Sequence, residues 1–199
     1  MVRDRLPIRF GGDYNPEQWP EETWGEDIAL MKDAGVNLVT LGVFSWSLLE
    51  PQEGVFDFGW LDRVIELLAE SGISVDLATA TASPPPWLIA KHPEILPMTE
   101  SGWTLAQGSR QAFCPSSPFY RAAALCLVEA LAERYHDNDA VVLWHVNNEY
   151  GCHVSRCYCD ASKASFRRWL EQRYESIDRL NAAWGTVFWS QRYGSFEEI

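Results

Sequence analysis

The chain has 199 residues, is 47% hydrophobic and carries a formal net charge of −12. This length supports one sizeable core, and the hydrophobic content excludes a disordered chain. The acidic balance argues against nucleic acid as a partner, and no apolar run reaches the length of a membrane span.

The residues from Met1 to Pro7 have a basic flavour but no hydrophobic core or cleavage site behind them, so they do not read as a signal peptide and a cytoplasmic location is expected. Ile8 to Tyr14 predicts a short first strand ending in a glycine turn, and the two prolines between Asn15 and Pro20 mark a loop. Glu22 to Asp33 predicts a helix, with Trp24, Ile28 and Met31 on one face, acids in its first turn and Gly35 as the stop. Val36 to Leu41 predicts a second strand, running out through Phe44-Ser45-Trp46 to Glu50-Pro51. Leu61, Ile65 and Leu68 then mark a second helix ending at Ser71-Gly72, and Ile73 to Ala78 a third strand. The helix-Gly-strand joint at Asp33 to Leu38 recurs at Glu70 to Val75, which implies right-handed βαβ units and a parallel sheet.

A long irregular stretch runs from Thr81 through Pro84-Pro85-Pro86-Trp87 to Phe113-Cys114-Pro115, and loops of this length in an α/β domain usually carry function. Ser117-Pro118 opens a third helix with a cap residue and a proline at the first helical position, and Val128, Leu131 and Tyr135 are its predicted buried side. Val141 to Val146 is a fourth strand without polar alternation, so it is predicted to be covered on both faces. Phe166, Trp169, Leu170 and Tyr174 suggest one more helix, and Ile177 to Trp184 a short one. No domain boundary is visible between residues 1 and 199. Four βα units fit either half of a (β/α)8 barrel, which typically needs about 250 residues, or a small doubly wound domain. The second option lacks a Gly-rich phosphate turn after the first strand.

The chemistry-bearing residues cluster late. The fourth strand runs directly into Asn147-Asn148-Glu149-Tyr150-Gly151, and the carboxyl ends of parallel strands are where active sites are built. Glu149 is therefore either a catalytic acid or a cap for the next segment. Five cysteines, three of them at Cys152, Cys157 and Cys159, read as thiols or a metal site rather than a disulfide scaffold. Ten tryptophans are compatible with sugar stacking as well as with core filling.

Ordered blocks along nearly the whole chain resemble the N-terminal part of the family 42 glycoside hydrolases, the bacterial β-galactosidases. They are Gly12 to Trp19, Phe44 to Pro51, Thr81 to Leu88, Phe113 to Pro118, Asn148 to His153, Arg156 to Cys159 and Ala183 to Trp189. The resemblance implies the N-terminal portion of a (β/α)8 TIM barrel of about four βα units, apparently truncated, and hydrolysis of terminal β-D-galactosides with retention of configuration. Retention requires two carboxyl groups about 5 to 5.5 Å apart. Glu149 matches the acid/base, Asn148 a sugar-binding amide and Arg110 a substrate-site arginine, although Arg110 alone reads as a solvated loop residue. The family nucleophile lies on the seventh strand, so it is expected beyond Ile199 and residues 1–199 are expected to be inactive alone. Asp13, Glu17, Glu50 and Asp76 read as caps, turn or supporting residues instead.

Relatives with a zinc cluster use four thiolates. Cys114, Cys157 and Cys159 match three of them, and Ser162 stands at the fourth position. Cys152, Asp160 or His153 could substitute there, since zinc accepts sulfur, oxygen and imidazole ligands. A structural zinc with an incomplete ligand set and an empty group of thiols are the two readings. Cys126 is read as buried apolar filler within the third helix. The resemblance also implies a homo-oligomer, usually a trimer, while the charge and the apolar run lengths argue against nucleic-acid and membrane partners. The alternative to the hydrolase is a non-catalytic carbohydrate-binding or zinc-binding remnant of one.

Overall fold

Four short strands pair in the order in which the chain makes them. The computed structural model describes residues 8–108 and 111–199. Its elements are β1 (Gly11–Tyr14), α1 (Trp24–Asp33), β2 (Leu38–Leu41), α2 (Trp46–Leu49), α3 (Gly59–Glu70), β3 (Ser74–Ala78), α4 (Pro86–Lys91), α5 (Pro118–Tyr135), β4 (Val141–His145), α6 (Asp160–Tyr174) and α7 (Ile177–Trp184). The sheet is parallel throughout, with order β1-β2-β3-β4. The order never reverses, so right-handed crossovers carry every connecting helix to the same side. This is the curvature of a barrel and not of a doubly wound sheet, and the chain folds as four βα units of a (β/α)8 barrel.

The covered face of the sheet carries Val39, Leu41, Val75 and Leu77, all buried against Ile28 of α1, Leu61, Ile65 and Leu68 of α3, and Leu127 and Leu131 of α5. On the other face, Thr40 and Asp76 face each other in register and stay half-exposed. The expectation of a fourth strand covered on both faces is not met. Val142, Leu143 and Trp144 of β4 are 38 to 49% exposed, because among the described residues β4 pairs only with β3 and its other edge is open.

The strands are shorter than the apolar runs that predict them. Before β1 and β2 begin, the Asn37 side chain accepts from the Phe10 N–H at 2.8 Å and donates to the Ile8 carbonyl at 2.9 Å. A side chain thus does the work of a ladder step there. Gly11 permits the close approach of the two strands: a Cβ on it would lie 1.7 Å from the Leu38 carbonyl oxygen.

Four further expectations are corrected. The stretch after β2 is not extended strand but turns into α2, because the buried Glu50 carboxylate draws its donors from Trp46 Nε1 at 2.7 Å and the Gly54 N–H at 2.8 Å. The proline run is not all loop: Pro86 occupies the first position of α4, where its missing N–H costs nothing. In α5 the buried residues are Tyr120, Leu127, Leu131 and Tyr135, with Val128 only half-buried. Cys126 is exposed rather than core filler, since one residue of helix turns it about 100° from Leu127.

α6 begins at Asp160, one turn and a half earlier than its aromatic residues suggest, and only Leu170 on it is buried. Phe166 and Trp169 stack on each other outside, with centroids 5.9 Å apart. α7 spans its predicted residues, capped by Ser176 and ended by Gly185 in the left-handed conformation. Among the described residues, no helix is long and apolar enough to cross a membrane.

Candidate active site and thiol cluster

β4 delivers its last residues to a loop that is pinned to β3 before any catalytic group appears. The Thr79 N–H donates to the His145 carbonyl at 3.1 Å, and the Thr79 hydroxyl donates to the Val146 carbonyl at 2.6 Å. The Asn147 amide donates to Thr81 Oγ1 at 3.1 Å, and Asn147 Oδ1 accepts from the Asn148 N–H at 2.7 Å. Gln111 Nε2 donates to the Asn148 carbonyl. From α5, the Tyr120 hydroxyl donates to the Thr81 carbonyl at 2.9 Å, and burial pushes that phenol up to about 12. Asn148 is buried as a result, and its position is fixed through its backbone on both sides.

Glu149 follows directly and is exposed, with φ at 45°, in the left-handed region that a side chain disfavours. Ala80, two residues after the end of β3, has φ at 58°. Such conformations persist when surrounding bonds over-determine them, and they concentrate at functional sites. The backbone reversal turns Glu149 out of the strand direction at the C-terminal end of β4. Arg110, the third candidate of the substrate site, lies outside the described residues.

Thr81, Gln111, Tyr120, Asn147, Asn148 and Tyr150 line part of a cleft of about 460 Å³ that also runs along α5. A second cleft of about 320 Å³ lies between the loops that follow β2 and β3, bounded by Phe44, Ser83 and Gln107. Three of the other acids near strand ends are engaged as supports. Glu50 holds the turn after α2, Glu17 accepts from Ser45 Oγ at 3.0 Å, and Asp76 accepts from Thr40 Oγ1 at 3.2 Å beside His145 Nδ1 at 3.8 Å. Thr79, Thr81, Gln111 and Tyr120 were not singled out from sequence. Only the place of Gln111, next to Arg110, hinted at a site.

The thiols form a separate centre. Cys114, just before α5, meets Cys157 and Cys159 from the loop before α6, and their sulfur atoms all lie within 4.8 Å of one another. Cys114 and Cys159 are buried with sulfurs 3.5 Å apart. Ser162, in the first turn of α6, places its hydroxyl 3.1 Å from Cys114 Sγ and 3.7 Å from Cys159 Sγ. Burial pushes the Cys114 thiol up to about 11. Burial acts on Cys157 in the same direction, but the N–H groups of Cys159 and Met98 and the Ser162 hydroxyl outweigh it and hold that thiol below its usual range. Cys152 and His153 do not join this group; their ligand atoms gather with that of Glu149 instead.

Comparison with known proteins matches residues 13–199 to the family model described as Beta-galactosidase, glycoside hydrolase family 42. A beta-galactosidase of Arthrobacter sp is 61% identical over 192 residues, covering 96% of this chain and 28% of the relative. One from Thermus thermophilus is 50% identical over 191 residues, covering 96% and 30%. Among solved structures, the polyextremophilic beta-galactosidase of Halorubrum lacusprofundi superposes with a TM-score of 0.92 at 48% identity, over 96% of this chain and 29% of that one. The beta-galactosidase of Bacillus circulans sp. alkalophilus gives 0.92 at 43% identity, over 100% and 29%. The chain thus spans less than a third of the length of these relatives.

Proposed function

The chain belongs to glycoside hydrolase family 42, and on that premise we propose that it contributes the acid/base side of a retaining hydrolase of terminal β-D-galactosides. The observation that carries this reading is the placement of Glu149 at the C-terminal end of β4, directly after a buried and doubly tied Asn148. In the first step Glu149 donates its proton to the departing glycosidic oxygen. In the second, the same carboxylate takes a proton from the water that releases the sugar. Asn148 offers its amide to the sugar 2-hydroxyl, where hydrogen bonds strengthen at the transition state. Arg110 adds a fork of donors to the substrate or to the nucleophile.

The nucleophile is assigned to a strand outside residues 1–199. Within them, Glu50, Glu17 and Asp76 are committed to Trp46, Ser45 and Thr40. The reading is tested in the full-length protein with Glu149→Gln, assayed on lactose and on an aryl galactoside whose leaving group needs no protonation. Loss of lactose turnover with retention of the first step on the aryl substrate supports it, and undiminished lactose turnover overturns it.

Zinc fits the thiol cluster in three of its four positions. Thiolates about a tetrahedral zinc stand roughly 3.8 Å apart, from a Zn–S bond of about 2.3 Å, and Cys114 and Cys159 stand at 3.5 Å. Cys114, Cys157 and Cys159 would hold the ion, with the Ser162 hydroxyl nearest the remaining vertex. Its contribution would be structural, tying the segment before α5 to the start of α6.

A further inference from the structure

The loop after β4 gathers a second set of donors. Glu149, Cys152 and His153 each offer one ligand atom, and the three atoms lie within 4.8 Å of one another. The loop is folded tightly enough to do this because the Cys152 N–H donates to the Glu149 carbonyl at 2.9 Å and the Val154 N–H to the Cys152 carbonyl at 2.7 Å. Left-handed backbone at Glu149, Gly151 and His153 (φ 45°, 76° and 61°) turns successive side chains toward one side. All three residues are exposed among the described residues, unlike the buried Cys114 and Cys159.

The geometry points to an inhibitory metal site at Glu149, Cys152 and His153, taking a borderline divalent cation of the zinc type. One thiolate, one imidazole and one carboxylate are the ordinary ligands of such an ion, and three protein ligands leave a position for water. The sulfur and nitrogen donors disfavour calcium and magnesium, which prefer oxygen. Binding releases the Cys152 thiol proton to solvent and engages a Glu149 carboxylate oxygen. A carboxylate held ionised by a metal has no proton to give a leaving group, so occupancy shuts off the acid step. This consequence rests on the assignment of Glu149 as acid/base; the binding site itself does not.

The test uses full-length protein, stripped with a chelator under a thiol-free reductant. Wild type, Cys152→Ser and the Cys152→Ser/His153→Ala double variant are titrated with Co²⁺, read by its thiolate absorption, and with Zn²⁺ against an indicator dye. Galactoside hydrolysis is followed in parallel. The double variant is expected to bind one ion fewer than wild type within the micromolar range. Its half-inhibitory Zn²⁺ concentration should rise by more than about 100-fold, since even outer-shell partners are worth roughly 10–100-fold in affinity. Chelator should restore wild-type activity. Equal metal stoichiometry and equal inhibition in wild type and double variant would overturn the site. Loss of one ion in the double variant, with metal-loaded wild type still fully active, would support the site and overturn the acid/base role of Glu149 instead.

Discussion

The Ser162 hydroxyl stands 3.1 Å from the Cys114 thiol and 3.7 Å from the Cys159 thiol, beside the cluster those two form with Cys157. A neutral hydroxyl is a weak partner for zinc, and a thiolate is a strong one. Ser162→Cys should therefore convert a three-thiol site into a four-thiol one. The expected result is zinc retained through chelator dialysis and a higher melting temperature, with little change in turnover. Metal analysis after dialysis checks it. Unchanged zinc content in Ser162→Cys would show that the hydroxyl does not mark the missing vertex.

If Glu149 is the acid/base proposed above, Glu149→Ala should remove both proton transfers at once. General acid and base help is worth about 10²–10⁴-fold, so turnover of lactose should fall by that order. With an activated aryl galactoside the second step becomes limiting, and a burst of phenol should precede slow steady turnover. Azide, which needs no deprotonation to attack, should restore the slow phase and yield a galactosyl azide. A variant with no burst and no azide rescue would remove Glu149 from the acid/base role.

Gly11 is the point of closest approach between β1 and β2. Gly11→Ala places a methyl group within bond-length range of the Leu38 carbonyl oxygen, so the strands must part. The expected cost is about 1–3 kcal/mol, the ordinary range for overpacking. Thermal melting of the full-length variant measures it, and Gly12→Ala, whose Cβ would meet nothing within 4 Å, is the control. Equal melting temperatures for the two variants would contradict the packing described here.

Asp62 on α3 joins α5 through Arg134 Nε at 2.8 Å and the Tyr135 hydroxyl at 2.8 Å. Burial raises its carboxyl, but these two donors together with the Arg134 charge outweigh that and hold it below the usual range. A folded value below the unfolded one gives stability that is present above about pH 4 and is lost as pH falls through the folded value. The pair is half-exposed, so the contribution is no more than about 1 kcal/mol. Asp62→Asn should lower the melting temperature at pH 7, and the gap from wild type should close below about pH 4. A gap that persists at acid pH would locate the effect in packing rather than charge.

Apolar period made the helices legible. Leu61, Ile65 and Leu68 fall at helical spacing and all are buried, and Ser117-Pro118 marks the start of α5 to the residue. α6 was legible only in its second half, because its first turns are polar and carry no period; its start is set by Cys159 meeting Cys114 across 45 residues. The proline run concealed α4, since proline at a first helical turn looks the same as proline in a loop until the residues after it are placed. At the site, Asn148 and Glu149 were visible as the end of an apolar strand. Thr79, Thr81, Gln111 and Tyr120, which hold them, come from two loops and a helix, and single polar residues so far apart leave no mark in the sequence. The thiol partners could be named, but only the fold could exclude Cys152 from their group.

The unbroken order of the sheet also bears on how the protein is made. Each strand finds its neighbour already synthesised, so β1 to β3 can assemble as the chain leaves the ribosome, without waiting for distant sequence. At typical elongation rates the interval from β1 to β4 is on the order of ten seconds, long compared with strand pairing. During translation the growing edge of the barrel is thus always the newest strand. When that strand is β4, it presents Val142, Leu143 and Trp144 to solvent. That is when a nascent-chain chaperone has an apolar strand to hold, and when two chains on one polysome are best placed to pair wrongly.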